Sequence, residues 1–238
     1  MIDKYEYLDD ILEFKDYSNE GTVFFKLYKN CCICKTLKNN KIWEPHLHKI
    51  FEKYVTKNSV VLEAGCHIGT HSIKLAKICR ELHCFEPLSY SFNLLKYNIE
   101  LNKLHNVKIY NEGLSDKQEQ KNYISITDGN PGGAVIAKND EGKEFKCELT
   151  TIDSLNLKKI DFIKLDVEGY ETLAIKGGIN TIKKFKPIIT IENWKDNAGS
   201  VDIEYTKEQF IDLLRLGYKL SHVGGPDFLF TFDRKIYN

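Results

Sequence analysis

A chain of 238 residues with 42% hydrophobic and 29% charged side chains has the make-up of one well-cored globular domain, which excludes disordered and fibrous classes. Lys+Arg and Asp+Glu number 34 each, and this balance excludes a general phosphate-neutralising clamp, so no nucleic-acid partner is expected. No apolar run approaches the roughly 18 residues of a membrane span. The opening Met1-Ile2-Asp3-Lys4-Tyr5-Glu6 lacks the basic-then-apolar order of a signal peptide, and the expected location is the cytoplasm. Seven cysteines, odd in number and without framework spacing, fit a reducing compartment.

In chain order, residues 1–58 read as a covering segment, with a strand or hairpin over Thr22–Leu37 and a helix over Glu44–Tyr54, placed over a ligand cleft. Within it Cys31, Cys32 and Cys34 read as alternating residues of a strand. They lack the second pair that a zinc site needs, and no metal is expected. Residues 59–238 form the main domain, where apolar runs alternate with helical patterns, the mark of a parallel sheet with crossover helices. Ser59–Glu63 is a buried strand, Thr70–Arg80 a helix, Glu81–Glu86 a strand stopped by Pro87, Ser89–Lys103 a helix and Asn106–Asn111 a strand. The stretch to Leu149 is irregular, with strands near Asn122–Ile126 and Glu144–Thr150 around the turn-forming cluster Asp128-Gly129-Asn130-Pro131-Gly132-Gly133. Asp161–Asp166 is a strand, Tyr170–Lys184 a helix, Pro187–Glu192 a strand and Thr206–Leu216 an amphipathic helix. Tyr218–Val223 and Asp227–Phe232 close the chain as a hairpin turned at Gly224-Gly225-Pro226.

Val60-Val61-Leu62-Glu63-Ala64-Gly65-Cys66-His67-Ile68-Gly69-Thr70 carries the most information. An apolar strand ends in a carboxylate and turns through two glycines into a helix. At Gly65 the missing Cβ lets backbone pass close to a ligand. In open α/β sheets ligands sit beyond the carboxyl ends of strands, where strand order reverses. The spacing is Gly-x-x-x-Gly, unlike the Gly-x-Gly-x-x-Gly of dinucleotide folds, and it favours the methionine tail of S-adenosylmethionine over a pyrophosphate. Glu63, Gly65, Cys66, His67, Gly69, Thr70 and His71 are therefore candidate cofactor residues, with Glu63 placed to hold the ligand's α-amino group. Glu86, about twenty residues on at the end of Leu82-His83-Cys84-Phe85-Glu86-Pro87, stands where Rossmann-like sites grip a ribose diol. Pro87 fixes the chain direction beside it.

With Ile163-Lys164-Leu165-Asp166-Val167-Glu168-Gly169 added, the chain resembles the FkbM-type methyltransferases, a class I family. The likeness rests on the glycine turn, Phe85-Glu86-Pro87, Lys164-Leu165-Asp166-Val167-Glu168-Gly169 and the Gly129–Gly133 stretch, and runs from about Trp43 to Trp194. Glu63 replaces the family's usual Asp, and Cys66-His67 stands where Ala-Asn is usual. The resemblance implies an α/β, Rossmann-like class I fold: a mostly parallel seven-stranded sheet with a C-terminal antiparallel hairpin and an N-terminal covering segment. It implies S-adenosylmethionine as cofactor, S-adenosylhomocysteine as product, and Leu114 and Ser115 near the adenine.

Methyl transfer needs an acceptor aligned behind the methyl carbon, and a hydroxyl acceptor must also lose a proton. Asp166 and Glu168, two apart at the end of a strand, are the catalytic candidates, because neighbouring acids can separate their pKa values. Strand alternation aims both the same way if Val167 faces the packed side. The alternative for Glu168 is to brace the following helix. Glu192, Asn130 and Glu44 are candidate acceptor contacts. The expected function is O-methylation of a sugar or glycan hydroxyl, the sugar resting on the resemblance. The alternatives are methylation of another small molecule or lipid-linked intermediate, or a cofactor-binding interaction module without activity.

Overall fold

The structure is a computed structural model that describes residues 7–15, 17, 21–29, 31–125, 134–136, 145–196 and 199–232. It opens with a hairpin of β1 (Tyr7–Phe14) and β2 (Val23–Tyr28), which pair antiparallel. Two helices follow, α1 (Cys32–Lys38) and α2 (Pro45–Tyr54), the latter begun by a proline at a position where the missing N–H costs nothing. The strand expected through Cys31, Cys32 and Cys34 is a helix instead. Burial there recurs at Cys31, Cys34 and Leu37, every third residue, and Lys35 N donates to Cys31 O at 2.9 Å, a helical bond. The partner of β2 is the earlier segment β1, not residues 30–37.

The sheet domain then alternates as expected: β3 (Val60–Ala64), α3 (Thr70–Ile78), β4 (Glu81–Phe85), α4 (Ser89–Leu101) and β5 (Val107–Tyr110). An inserted sheet comes next, built from β6 (Glu112–Leu114), β7 (Glu119–Ser125), β8 (Ala134–Ile136) and β9 (Phe145–Thr150) in the order β6-β9-β7-β8. The chain returns through β10 (Phe162–Leu165), α5 (Glu171–Gly177), α6 (Ile179–Phe185), β11 (Ile188–Glu192), α7 (Ile203–Gln209), α8 (Ile211–Arg215), β12 (Tyr218–Gly224) and β13 (Asp227–Phe232). The expected helix over Tyr170–Lys184 breaks at Gly178, where an added Cβ would lie 2.9 Å from the Ile152 side chain. The expected helix over Thr206–Leu216 starts earlier, capped by Asp202 through Glu204 N and Tyr205 N, and breaks at buried Phe210.

The main sheet runs β12-β13-β11-β10-β3-β4-β5, parallel except for β13, which lies antiparallel to both neighbours. This is the expected seven-stranded Rossmann-like arrangement. From β3 the chain steps to β4 on one side, and later returns as β10 on the other. Strand order thus reverses between β3 and β10, which puts the ligand crevice at their carboxyl ends. One core lies on the face covered by α3 and α4 and includes Val61 and Phe162; the N-terminal Phe14, Tyr17, Phe25 and Phe51 join it. The other face buries Leu62, Ile163 and Leu165 with Ala174, Ile182 and Leu213. No helix among the described residues is long and apolar enough to cross a membrane.

Two asparagines four apart on α4 attach the N-terminal hairpin. Asn98 accepts from Lys26 N at 2.7 Å and donates to Lys26 O at 3.1 Å, while Asn102 does the same for Phe24 at 2.9 and 2.7 Å. A carboxamide carries the donor and acceptor of a peptide group, so this helix face substitutes for a neighbouring strand on the β2 edge.

Gly65 has a different reason from the one its sequence position suggested. Its φ is +79°, and a Cβ there would stand 1.6 Å from Asp166 O, so the close neighbour is the chain itself. Gly169, with φ +94°, has nothing within 4 Å of the same added atom. Alanine at Gly169 is therefore expected to cost only the conformational strain, about 1–2 kcal/mol. Alanine at Gly65 adds overpacking of roughly 1–3 kcal/mol more, read from urea unfolding midpoints. Equal losses in the two variants would show that the β3–β10 contact is slack.

Candidate active site

A cavity of about 240 Å³ opens beyond the carboxyl ends of β3, β4 and β10. It brings together Glu63, Gly65, Cys66, His67, Thr70 and His71 from the first turn, Glu86 and Pro87 from the second, and Leu114 from β6. Asp166, Glu168, Glu192 and Glu44 line it as well. Gly69 does not; it begins α3 with φ +89°, packed against Leu95. Ser115 does not either. It is fully buried, bonded through its N–H to Thr150 O and through its hydroxyl to Asp116, while Gly113 lines the cavity beside Leu114. Asn130 and the Gly129–Gly133 stretch lie outside the described residues.

On the first-turn side, the Glu63 carboxylate accepts from Ser72 Oγ at 2.6 Å, and only 1% of the residue is exposed. Glu86 is the centre of the turn's geometry: it accepts from His67 N at 2.7 Å and from Leu88 N at 3.0 Å, one on each oxygen. Those bonds tie the β3 and β4 turns together. Burial raises its carboxyl to about 7, with Asp166 and Glu63 adding to the rise and the two N–H bonds opposing it. His67 holds φ +49°, and its ring tilts over Tyr28 at 5.7 Å. Both its ring nitrogens are buried without a hydrogen-bond partner, as is Thr70 Oγ1. Buried polar atoms left this way are costly, and these line the cavity, so they fit a polar ligand group. Burial lowers His67 to about 4, leaving a neutral ring that donates from one nitrogen and accepts at the other.

Across the cavity stand three carboxyls. Oxygen atoms of Asp166, Glu168 and Glu192 lie within 4.8 Å of one another, a spacing at which a hard cation could be shared; Glu63, Cys66 and Cys84 make a second close group, fully buried. Lys164 already supplies a positive charge, its Nζ 3.0 Å from Asp166 Oδ2 and only 2% of the residue exposed. Burial opposes that charge, but Asp166, Glu63 and Glu44 outweigh it and hold the ammonium well above the usual lysine range. Burial first, then Asp166, pushes Glu192 far up, so it keeps its proton at neutral pH. Desolvation of its carboxyl, then the Asp166 and Glu171 charges, raises Glu168 to about 8, although the residue as a whole is exposed and water screens part of the effect.

Asp166 and Glu168 meet through a turn, not through strand alternation: β10 ends at Leu165, and Glu168 takes φ +51°. The brace on the following helix is Glu171, whose Oε1 accepts from Val167 N at 2.9 Å and Gly169 N at 3.3 Å. Glu168 is thereby left free for the cavity. Lys164 was readable in the sequence as the one charge inside an apolar strand, since such a lysine must find anionic partners.

The covering side comes from Cys32, Ile33, Trp43 and Glu44. His71 Nε2 lies 2.9 Å from Glu44 Oε2, and His71 Nδ1 lies 3.3 Å from His48 Nε2. A carboxylate only accepts, so His71 carries its proton on Nε2 and donates to Glu44, while its Nδ1 accepts a hydrogen bond from His48 Nε2–H. Burial keeps both rings neutral. His46 on α2 reaches Asp227 at the start of β13 at 2.7 Å, tying the cover to the final hairpin. Neither His48 nor Asp227 carries a motif, and both come from distant segments.

Glu63 gives the site a measurable pH signature. Burial, with Asp166 adding, raises it from 4.5 to about 7 against the pull of Lys164 and Ser72. The folded chain holds this proton more tightly than the unfolded one, so the contribution is present below pH 4.5 and lost as pH rises through about 7. Glu63→Gln is expected to exceed wild type in stability by about 1–3 kcal/mol at pH 8, with the difference vanishing near pH 4.5. A pH-independent offset in urea titrations would contradict this.

Comparison with known structures places the fold. A methyltransferase FkbM from Methylobacillus flagellatus KT superposes with a TM-score of 0.52 at 16% identity, over 74% of this chain and 44% of that one, so this chain spans less than half its length. A methyltransferase from Streptococcus mutans in complex with SAH gives 0.44 at 10% identity, over 78% and 93%. An rRNA methylase from Streptococcus thermophilus gives 0.44 at 11%, over 77% and 93%. At 16% identity the first of these speaks to the fold alone. No curated protein matches the chain. Residues 63–220, well over half of the sequence, match the family model of the methyltransferase FkbM domain, and the chain belongs to that family.

Proposed function

We propose that this chain is an S-adenosylmethionine-dependent O-methyltransferase whose acceptor is a sugar or glycan hydroxyl. The observation that carries the reading is one cavity in which unpartnered polar atoms of the glycine turn and Glu86 face a cluster of carboxyls. The residues fit the cofactor. His67 and Thr70 would receive its amino-acid tail, satisfying buried atoms that otherwise lack partners. Glu86, already held from behind by two N–H groups, keeps lone pairs for the ribose hydroxyls. Phe85, Pro87, Leu88 and Leu114 supply the apolar walls an adenine needs. Bound S-adenosylmethionine supplies an electrophilic methyl group.

The chain's own residues would then orient the acceptor. Asp166, fixed by Lys164, accepts a hydrogen bond from the attacking hydroxyl and aims its lone pair across the cavity. Glu168, raised to about 8, is matched to proton uptake near neutral pH. Protonated Glu192 can donate to a neighbouring acceptor oxygen. Among the described lining residues Lys164 is the single lysine, and it is already paired with Asp166, so no lysine charge is left over for an anionic acceptor, while the surrounding carboxyl groups suit one rich in hydroxyls. That arrangement supports a sugar over a phosphorylated substrate.

Saturating S-adenosylhomocysteine is expected to raise Tm, at 100 times Kd by about 2.7 kcal/mol of added stability, whereas NAD leaves it unchanged. Glu86→Ala should lose most of that response. Asp166→Asn should keep it while turnover on the hydroxyl acceptor falls about 100-fold or more. Stabilisation by NAD alone would sink the cofactor reading; wild-type turnover by the Asp166 variant would remove that residue from the chemistry.

A further inference from the structure

The three cysteines at the start of α1 are not used by the proposed chemistry, yet they adjoin the cavity. Cys31 directly precedes α1 and Cys34 lies one turn on, and both residues are buried in the same core, at 2% and 0% exposure. The residues between them, Cys32 and Ile33, form part of the cavity wall. We propose that Cys31 and Cys34 are a redox-active dithiol, a modification site that takes small-molecule disulfides and whose closure reshapes the cavity wall at Cys32 and Ile33.

The geometry supports both halves. A Cys-x-x-Cys pair on one turn has the sequence spacing and helical proximity that a disulfide needs. The pair is also electrostatically asymmetric. The Cys34 side chain, then the N–H groups of Cys34 and Ile33 and the Lys38 charge, draw Cys31 down and favour its thiolate, while burial opposes it. Cys31, then burial, push Cys34 up. One thiol is thus primed to attack and the other to resolve.

In the exchange, the Cys31 thiolate attacks one sulfur of the small disulfide and releases one thiolate, leaving a mixed disulfide. Cys34 passes its proton to a released thiolate and attacks the Cys31 sulfur, displacing the second. Two protein thiols are oxidised and one small disulfide is reduced to two thiols. Because both sulfurs are buried, exchange runs through transient opening of this turn. A disulfide holds its two Cβ atoms about 3.8 Å apart. Closure would fix Cys31, in extended backbone ahead of α1, to Cys34 within the helix, and so constrain the intervening Cys32 and Ile33 of the cavity wall.

The test uses Cys32→Ser protein, to remove the exposed competitor in the same turn, equilibrated in mixtures of oxidised and reduced glutathione. The expected product has lost the mass of two hydrogens, retains no glutathione, and maps to a Cys31–Cys34 link. Adding Cys34→Ser should trap glutathione on Cys31. No link, glutathione retained while Cys34 is present, or a link confined to other cysteines would overturn the dithiol. Affinity for S-adenosylhomocysteine should fall about tenfold on oxidation and return with dithiothreitol, a coupling of ordinary size. Unchanged affinity with the link formed would overturn the wall coupling. This last arm rests on the proposed cofactor, and a protein that ignores the ligand in both states would refute that reading while the mass map still decides the dithiol.

Discussion

The backbone of Asp166 runs so close to Gly65 that no other side chain fits between them, and the site is built outward from that contact. β3 and β10 are neighbours on opposite sides of the point where strand order reverses, bonded up to Asp166 N and Ala64 O at 3.1 Å. The glycine turn leaves on one side of this seam and the carboxylates on the other. Polar atoms that would receive a ligand and acids that would handle an acceptor end up on facing walls, although a hundred residues separate Gly65 from Asp166. A slack seam would move the two halves independently.

Electrostatics completes what the seam begins. Lys164 is buried among Asp166, Glu63 and Glu44, and its ammonium survives only because those acids surround it. It pins Asp166 and lets the other carboxyls follow their local environments: Glu192 keeps its proton and Glu168 rises to about 8. Acids of different proton affinity within 4.8 Å of each other can hold, donate and accept in one small volume. The covering helix is coupled to this charge pattern through Glu44 and the His71–His48 pair, and to the last hairpin through His46 and Asp227.

The alternation of apolar strands with helices made the main sheet readable in the sequence, and the acids at strand ends made most of the cavity readable too. What escaped was decided by contacts distant in sequence. Tyr7–Phe14 contains Asp9 and Asp10 and does not alternate cleanly, so β1 was invisible; β2 is held on its other edge by Asn98 and Asn102, more than seventy residues away. The apolar run Cys31–Cys34 is too short to separate strand from helix by pattern alone. Gly178, where a helix breaks, packs closely against Ile152, which no local rule reveals. Within the site, neighbours along the chain do not share a direction: Leu114 faces the cavity while Ser115 turns away, and Glu171 takes the bracing role open to Glu168.

A crystal structure of the chain grown with S-adenosylhomocysteine tests the central claim most directly. The ribose hydroxyls should lie within hydrogen-bonding distance of Glu86, and the amino-acid tail should engage the His67 ring and the Thr70 hydroxyl. Ligand density outside the β3–β10 crevice, or those polar atoms still unpartnered with the ligand bound, would contradict it.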